Sequence, residues 1–348
     1  MVATAPDADA ATRWCTREEG DLSMRFAKPR LSQRWRQRTV AAFAVGVLLP
    51  LIAGLTGGAV ASAQPGIERH NVYSAAMDRN IPVDIVRSSG GGNGALFLLD
   101  GLRAREDRSG WTIETNAVEM FRDSNVNLVM PVGGRASFYA DWYGPSSTNA
   151  QGYTYKWETF LAQELPNYLG TIGIRTTNNA VAGLSMAGSA ALKLAADHGN
   201  RFTYAASFSG YLNLSAPGMP SLIRLALLDE GGYNVDDMWG PPWDPAWAAH
   251  DPTVFAPKLA GKTLFISAGS GIPGQHTQIR EPIDYFHTAN AMGLEVVSLL
   301  NTRAFQGRAD ALGLNATYSY PPVGVHAWGY WQDELANAKP GILRALGA

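Results

Sequence analysis

The sequence predicts an α/β protein built on a mostly parallel central sheet with helices on both faces. From Asn71 onward, short apolar runs rich in β-branched residues alternate with stretches of helical periodicity. Such alternation is typical of parallel sheets covered by helices. The chain has 348 residues, of which 46% are hydrophobic, and this is enough for one large core.

Seven segments have the composition of strands, and five other segments have the composition of helices. The predicted strands are Ile81–Val86, Gly94–Leu99, Val126–Pro131, Asn179–Ala182, Tyr204–Ser207, Thr263–Ala268 and Leu294–Leu299. The predicted helices are Ala117–Asp123, Lys156–Leu169, Met186–His198, Arg280–Ala291 and Trp331–Leu346. Ligands bind beyond the carboxyl ends of such strands, where the sequence places Asp100, Ser185, Ser209, the Ser267–Gly271 turn and the loop that contains His326.

The first 63 residues are predicted to be a leader with a secretory signal peptide. Arg34, Arg36 and Arg38 precede the uncharged run Val40–Leu55, and Ala61-Ser62-Ala63 offers the small residues of a cleavage site. The run is shorter than the ~20 residues of a membrane span. We therefore expect a protein secreted to the cell envelope, with no stable span after cleavage and a single domain over residues 64–348.

The residues before Met24 are polar and mildly acidic, so we expect translation to begin at Met24. The only cysteine, Cys15, lies in this stretch, which leaves no thiol from Gln64 onward. Disulfides, cysteine nucleophiles and cysteine-based zinc sites are thereby excluded from that region. No metal or other cofactor is expected, and the slightly acidic balance of the chain argues against nucleic-acid partners.

A candidate nucleophile stands at a sharp turn between a predicted strand and a predicted helix. The run that begins at Ala180 ends at Gly183, presents Ser185 and passes into a helix at Met186. Small residues on both sides of the serine leave room for a tight turn that lifts the hydroxyl clear of the sheet. Ala187 stands where this pattern usually has glycine. The alternative is an ordinary strand-to-helix turn whose serine caps the helix.

His326 is the candidate base because it lies in a glycine-containing loop before the C-terminal helix, after Ser185 in the chain. That order of serine and histidine is typical of the α/β-hydrolase fold. The fold also predicts an oxyanion hole from two backbone N–H groups, those of Met186 and of Leu102 in the turn after an early strand.

Several sequence blocks together closely resemble the antigen 85 type of secreted mycolyltransferase from about Asn71 to the C-terminus. The blocks are Leu98–Arg103 (LLDGLR), Met130–Gly134 (MPVGG), Ser137–Tyr143 (SFYADWY), Tyr153–Phe160 (YTYKWETF), Gly183–Met186 (GLSM), Met238–Pro241 (MWGP), Asp244–Trp247 (DPAW) and His326–Trp328 (HAW). The resemblance implies an α/β-hydrolase fold. It also implies transfer of a mycoloyl chain from trehalose monomycolate, through the serine, to a second trehalose monomycolate or to cell-wall arabinogalactan.

The resemblance further implies roles for individual residues. Ser185 corresponds to the nucleophile and His326 to the base. Asp100 and Arg103 correspond to residues that hold the trehalose head group, and Trp328 to an aromatic residue at the sugar site.

The chain departs from the family at the position of the acid that orients His326. The family places a glutamate on the helix after a Gly-x-Gly-x-Pro turn, here Gly269–Pro273, and ungapped alignment puts His287 at that position. We therefore predict Asp284, one helical turn earlier, as the acid, with Glu281 as the alternative and an incomplete triad as the third possibility. Ala268 stands where the family often has a cysteine.

Two other functions compete with acyl transfer between sugars. One is an exported carboxylesterase that only hydrolyses, because fold alone does not fix function. The other is a non-enzymatic cell-wall-binding relative, which the uncertain acid leaves open.

Overall fold

The computed structural model describes residues 66–348, in which eight strands form one sheet. The strands are β1 (Glu68–Ser74), β2 (Arg79–Val86), β3 (Ala95–Leu99), β4 (Asn127–Pro131), β5 (Asn179–Leu184), β6 (Phe202–Phe208), β7 (Thr263–Ser267) and β8 (Asn315–Ser319). Their order across the sheet is β1-β2-β4-β3-β5-β6-β7-β8. The first two strands run antiparallel to their neighbours, and all the pairings from β4 to β8 are parallel.

Ten α-helices accompany the sheet in the described part of the chain. They are α1 (Ala117–Met120), α2 (Trp157–Thr159), α3 (Leu165–Thr171), α4 (Met186–Asp197), α5 (Met219–Asp229), α6 (Val235–Trp239), α7 (Pro245–Ala249), α8 (Pro252–Phe255), α9 (Pro282–Ala311) and α10 (Trp328–Leu346). A π-helical segment, Phe160–Glu164, joins α2 to α3. The predicted fold class, an α/β-hydrolase with a mostly parallel sheet, is confirmed.

Two apolar cores lie on opposite faces of the sheet because neighbouring strand residues point to opposite sides. Leu96 and Leu98 of β3 belong to the core covered by α1 and α10. Phe97 and Leu99 of the same strand belong to the core under α2 to α5 and α9. The central strands are fully buried, which explains why they read as nearly continuous apolar runs.

One predicted strand is wrong, because Leu294–Leu299 lies within the long helix α9. A short apolar run does not distinguish a strand from a buried helical turn, and the segment from 282 to 311 contains no proline after its first residue. The strand at this side of the sheet is instead β8, and β1 and α5 were not predicted.

The predicted signal peptide, its cleavage site, the start at Met24 and Cys15 all lie outside the described residues. The boundary between leader and domain therefore stays a prediction. Between residues 66 and 348, no helix has the length and apolar character needed to cross a membrane.

Candidate active site

The backbone at Ser185 has the strained conformation expected of a serine at a sharp turn between strand and helix. Ser185 follows β5 and precedes α4. Its backbone angles, φ 52° and ψ −122°, lie in a region that residues other than glycine rarely adopt. A hydrogen bond from its N–H to the Phe208 carbonyl oxygen (2.8 Å) holds this turn to the end of β6. The turn points the hydroxyl away from the sheet, at the edge where the parallel strands end.

Gly183 and Ala187 show why small residues flank the serine. A Cβ atom on Gly183 would lie 2.2 Å from the Ala187 carbonyl oxygen, so only glycine is tolerated there. Ala187 is fully buried in the first turn of α4, which accommodates its methyl group. Glycine is therefore required at position 183 and is not required at position 187.

His326 lies within hydrogen-bonding distance of Ser185, although the two are 141 residues apart in the chain. Its Nε2 is 2.8 Å from the Ser185 hydroxyl oxygen. Tyr211 stacks on one side of the imidazole, and the Trp331 ring meets it edge-on, with the ring centroids 4.9 Å apart. These neighbours fix the orientation of the base before any ligand arrives.

The carboxylate that meets His326 belongs to Glu295, in the middle of α9. One Glu295 oxygen is 2.8 Å from His326 Nδ1. The other oxygen accepts hydrogen bonds from the Ser209 hydroxyl (2.7 Å) and the Gly269 N–H (2.6 Å). The carboxylate is only 1% exposed, and a buried charge of this kind needs such partners.

The predictions of Asp284 and Glu281 as the acid are wrong, because both side chains cap the start of α9. Asp284 accepts hydrogen bonds from the N–H groups of Arg280 (2.7 Å) and Glu281 (2.9 Å), while Glu281 accepts one from the Asp284 N–H. The two backbone bonds lower the Asp284 pKa. Eleven residues separate Asp284 from Glu295, about 16 Å along a helix, so Asp284 does not reach His326.

Glu295 was missed because ungapped alignment ended on His287, eight positions before it. The signal was nevertheless present in the sequence. Glu295 is the only glutamate between Pro282 and Ala311. It begins a row of buried positions at helical spacing that continues through Ser298, Thr302 and Phe305.

Ser209 supports the acid from the end of β6. Its φ of 50° places it, like Ser185, in the left-handed region. Its hydroxyl donates to Glu295 and accepts a hydrogen bond from the Trp331 indole N–H (2.9 Å). A strained backbone at this point thereby orients the carboxylate behind His326.

The two predicted oxyanion donors belong to residues whose backbone adjoins the serine. Met186 is the first residue of α4, and the N–H groups of a first helical turn have no acceptor within the helix. Leu102 follows Gly101, where a Cβ atom would lie 3.5 Å from Ser185 Cβ. The turn that carries Leu102 therefore packs against the serine, and its role as an oxyanion donor stays a prediction.

Asp100 is buried at the carboxyl end of β3 and holds a neighbouring loop. Its oxygens accept hydrogen bonds from the Ser109 hydroxyl (3.0 Å) and the Gly110 N–H (2.8 Å). Burial raises the pKa of its carboxyl to about 6, against these hydrogen bonds. The structure therefore gives Asp100 a role within the protein that the sequence did not indicate.

Trp328 and Arg103 flank this loop in different ways. Trp328 packs over Gly110, where a Cβ atom would be 2.5 Å from its ring, and meets Trp111 edge-on. Arg103 is 74% exposed and pairs with Asp229 (3.1 Å) and Glu230 (2.9 Å) at the end of α5. Asp100 and Trp328 thus adjoin each other, while Arg103 reaches toward a separate element.

The sheet, the serine turn and the Glu295–His326–Ser185 arrangement define an α/β-hydrolase with a serine centre. The esterase family model matches residues 74–342. Mycobacterial relatives show that the chain belongs to the Ag85 family of diacylglycerol acyltransferase/mycolyltransferases.

Two relatives and two solved structures illustrate the likeness. The chain is 42% identical to Ag85B of Mycobacterium intracellulare, covering 90% of this chain and 95% of the relative. It is 43% identical to Ag85B of Mycolicibacterium smegmatis, covering 90% and 97%. Mycobacterium tuberculosis MPT51 (FbpC1) superposes with a TM-score of 0.69 at 29% identity, covering 80% of this chain and 98% of that one. An S-formylglutathione hydrolase from Agrobacterium tumefaciens shares the fold, with a TM-score of 0.57 at 13% identity over 80% of this chain and 94% of that one.

Proposed function

We propose that this protein transfers a mycoloyl chain from trehalose monomycolate to a second sugar hydroxyl through an acyl-enzyme on Ser185. The acceptor is another trehalose monomycolate or arabinogalactan. The observation that carries the proposal is the hydrogen-bonded series Glu295–His326–Ser185 in a chain of the mycolyltransferase family. A complete acid–base–serine series also removes the reason for a non-enzymatic role.

In the first half-reaction, the Ser185 oxygen attacks the ester carbonyl while His326 Nε2 takes the hydroxyl proton. The Met186 and Leu102 N–H groups donate hydrogen bonds to the former carbonyl oxygen, which carries the negative charge. Glu295 stabilises the imidazolium, and its other partners keep the carboxylate in place. The ester bond then breaks, and His326 returns the proton to the departing trehalose oxygen.

In the second half-reaction, a sugar hydroxyl gives its proton to His326 and attacks the acyl-serine. Collapse of the tetrahedral intermediate forms the new ester, and His326 returns the proton to the Ser185 oxygen. Transfer rather than hydrolysis requires that the sugar hydroxyl occupy the attacking position in place of water. Trp328 and Arg103 are proposed to hold the sugar there, with Asp100 fixing the loop on which Trp328 rests.

Incubation of the purified protein with trehalose monomycolate tests the proposal. We expect trehalose dimycolate and free trehalose, and no product from the Ser185→Ala variant. Free mycolic acid and trehalose without any dimycolate would instead establish a hydrolase of the esterase type. A wild-type protein that neither reacts nor is labelled at Ser185 by a fluorophosphonate would establish a non-enzymatic relative.

The site of action is proposed to be the cell envelope, after export. This proposal rests on the charged and apolar segments that end at Ala63. Mass spectrometry of the protein from the culture medium should find an N-terminus at Gln64. A protein retained in the cytoplasm with its first 63 residues intact would contradict export.

A further inference from the structure

The loop Gly133–Tyr139, which follows β4, has a strained backbone. Five of its seven residues have a φ between 46° and 99°. Two of them are glycines, but Ala136, Phe138 and Tyr139 carry side chains, and residues with side chains rarely adopt this region. All three side chains are buried. Such a conformation costs free energy and persists only where the surrounding structure imposes it.

Buried left-handed residues occur at only two places in residues 66–348. Eight residues other than glycine have a positive φ there, and three of the eight are exposed. The five buried ones are Ser185, Ser209 and the three of the Gly133–Tyr139 loop. The loop thus shares with the serine centre a kind of strain that clusters at active sites.

Two hydrogen bonds join the loop to the turn after β3. The Ala136 N–H donates to the Leu102 carbonyl oxygen (2.9 Å), and the Asp100 N–H donates to the Tyr139 hydroxyl oxygen (3.1 Å). Between Asp100 and Leu102, the Gly101 carbonyl oxygen accepts a hydrogen bond from within the turn (3.1 Å). That carbonyl and the Leu102 N–H belong to one planar peptide. Together, these three bonds fix the direction of the Leu102 N–H.

A third contact joins the loop to the other proposed oxyanion donor. The Phe138 N–H donates to the Met186 sulfur atom, 3.1 Å away. A thioether is a weak acceptor, but here it serves a buried backbone N–H, which needs a partner. The Met186 side chain thereby couples the loop to the first residue of α4, next to Ser185.

Aromatic packing holds the loop from behind. The Tyr139 ring meets Trp157 edge-on at 5.3 Å between centroids, and the Phe138 ring meets Trp239 at 5.1 Å. The Tyr139 N–H also donates to the Ser137 hydroxyl oxygen (3.0 Å). Because its rings are fixed in the core, the loop presents its N–H groups and the Tyr139 hydroxyl in set directions.

We propose that the Gly133–Tyr139 loop positions both oxyanion donors, through the Tyr139 hydroxyl and the Met186 thioether. Tyr139 is a positioning residue, since it acts through the turn that carries Leu102. The Met186 side chain acts in the same way on the N–H group of its own residue. The inference rests on the serine reaction of the proposed function and deepens it. It holds whether a sugar hydroxyl or water receives the acyl group.

The test compares Tyr139→Phe with Tyr155→Phe. Both tyrosines are 2% exposed in the same core, but the Tyr155 hydroxyl meets Tyr233 (3.3 Å). Cleavage of a p-nitrophenyl ester measures the reaction of Ser185 without any sugar. We expect Tyr139→Phe to lower kcat/KM about tenfold, because losing one oxyanion donor outright costs about 10²–10³-fold. Tyr155→Phe should lower it less than about twofold.

Inhibition by a trifluoromethyl ketone separates positioning from general loosening. Its adduct with Ser185 places an oxyanion where the ester forms one, so its Ki in Tyr139→Phe should rise by the factor by which kcat/KM falls. The pH dependence of the rate should not change, because Glu295 and His326 keep their contacts. A constant Ki, or equal losses of activity in Tyr139→Phe and Tyr155→Phe, would overturn the inference.

Met186→Leu tests the second contact and does not depend on the folding of the tyrosine variants. It keeps the backbone N–H but removes the acceptor of Phe138, so kcat/KM should fall about fivefold. Met219→Leu is the matched control, since the buried Met219 sulfur accepts the Asn301 amide N–H (3.6 Å). A wild-type protein that does not cleave the ester would overturn the proposed function and the inference together. An active wild type matched by both Tyr139→Phe and Met186→Leu would overturn the inference alone.

Discussion

At the scale of single residues, Glu295 decides what the serine centre can do. Its two oxygens serve different partners, with His326 on one side and Ser209 and Gly269 on the other. An acid bound on both sides holds the imidazole ring and stabilises its protonated form. The proposed reaction depends on this single carboxylate more than on any other in α9.

Glu295→Gln should lower kcat for mycoloyl transfer by about 10³–10⁴-fold, because the amide no longer stabilises the imidazolium. Steady-state rates with trehalose monomycolate measure the loss. Asp284→Asn is the control, since Asp284 lies on the same helix but caps its start. An equal loss of activity in both variants would contradict the assignment of Glu295.

Ser209→Ala should lower kcat about tenfold with little change in KM, because Glu295 and Trp331 each lose a hydrogen-bond partner. Ser298→Ala is the matched control, as Ser298 is equally buried on α9 but bonds to the Gly210 carbonyl oxygen. Parallel rate and unfolding measurements compare the two. Reduced stability without reduced kcat in Ser209→Ala would show that Ser209 does not position the acid.

At the scale of elements, α9 carries the acid because its middle is clamped from two sides. The turn before it passes close to the helix at Gly271, whose N–H donates to the Gly324 carbonyl oxygen (2.8 Å). The loop before α10 is tied to the helix by a hydrogen bond from the His326 N–H to the Ala291 carbonyl oxygen (3.1 Å). These bonds place Glu295 and His326 in register with each other.

Gly271→Ala should destabilise the fold by about 2 kcal/mol or more and reduce activity, because its φ is 83° and a Cβ atom would lie 2.6 Å from the Val296 side chain. Gly293→Ala on α9 should instead stabilise it by about 0.5–1 kcal/mol, since a Cβ atom there meets nothing within 4 Å. Urea unfolding measures both. Equal changes in the two variants would show that the turn does not constrain α9.

At the scale of the whole molecule, the parallel sheet brings distant residues to one edge. The serine follows β5, its supporting Ser209 follows β6, and Asp100 follows β3. The two cores hold these strands from both faces, so the edge is rigid. The same rigid body buries the Asp100 carboxylate, and this links the stability of the fold to pH.

Asp100 has a pKa of about 6 in the folded protein and an ordinary value of 3.8. Since the folded value is the higher one, its contribution to stability is complete below pH 4 and is lost as the pH rises through 6, by about 3 kcal/mol. Asp100→Asn keeps a donor for Ser109 and an acceptor for Gly110 but removes this dependence. Unfolding free energies of both proteins between pH 4 and 8 test it. A difference in unfolding free energy between the two proteins that does not change with pH would contradict the raised pKa of Asp100.

The fold class could be predicted from the sequence alone, and the sequence also predicts the serine turn and a candidate base. These features depend on local patterns, namely buried apolar strands, a glycine that avoids a clash, and a histidine in its usual place in the chain. Glu295 stands out in the sequence as the one glutamate between Pro282 and Ala311, but the folded chain was needed to place it behind His326, because the length of α9 follows from its cap and its packing. It also decided that Asp100 holds a loop, since this depends on how the chain at Ser109 and Gly110 folds back onto the end of β3.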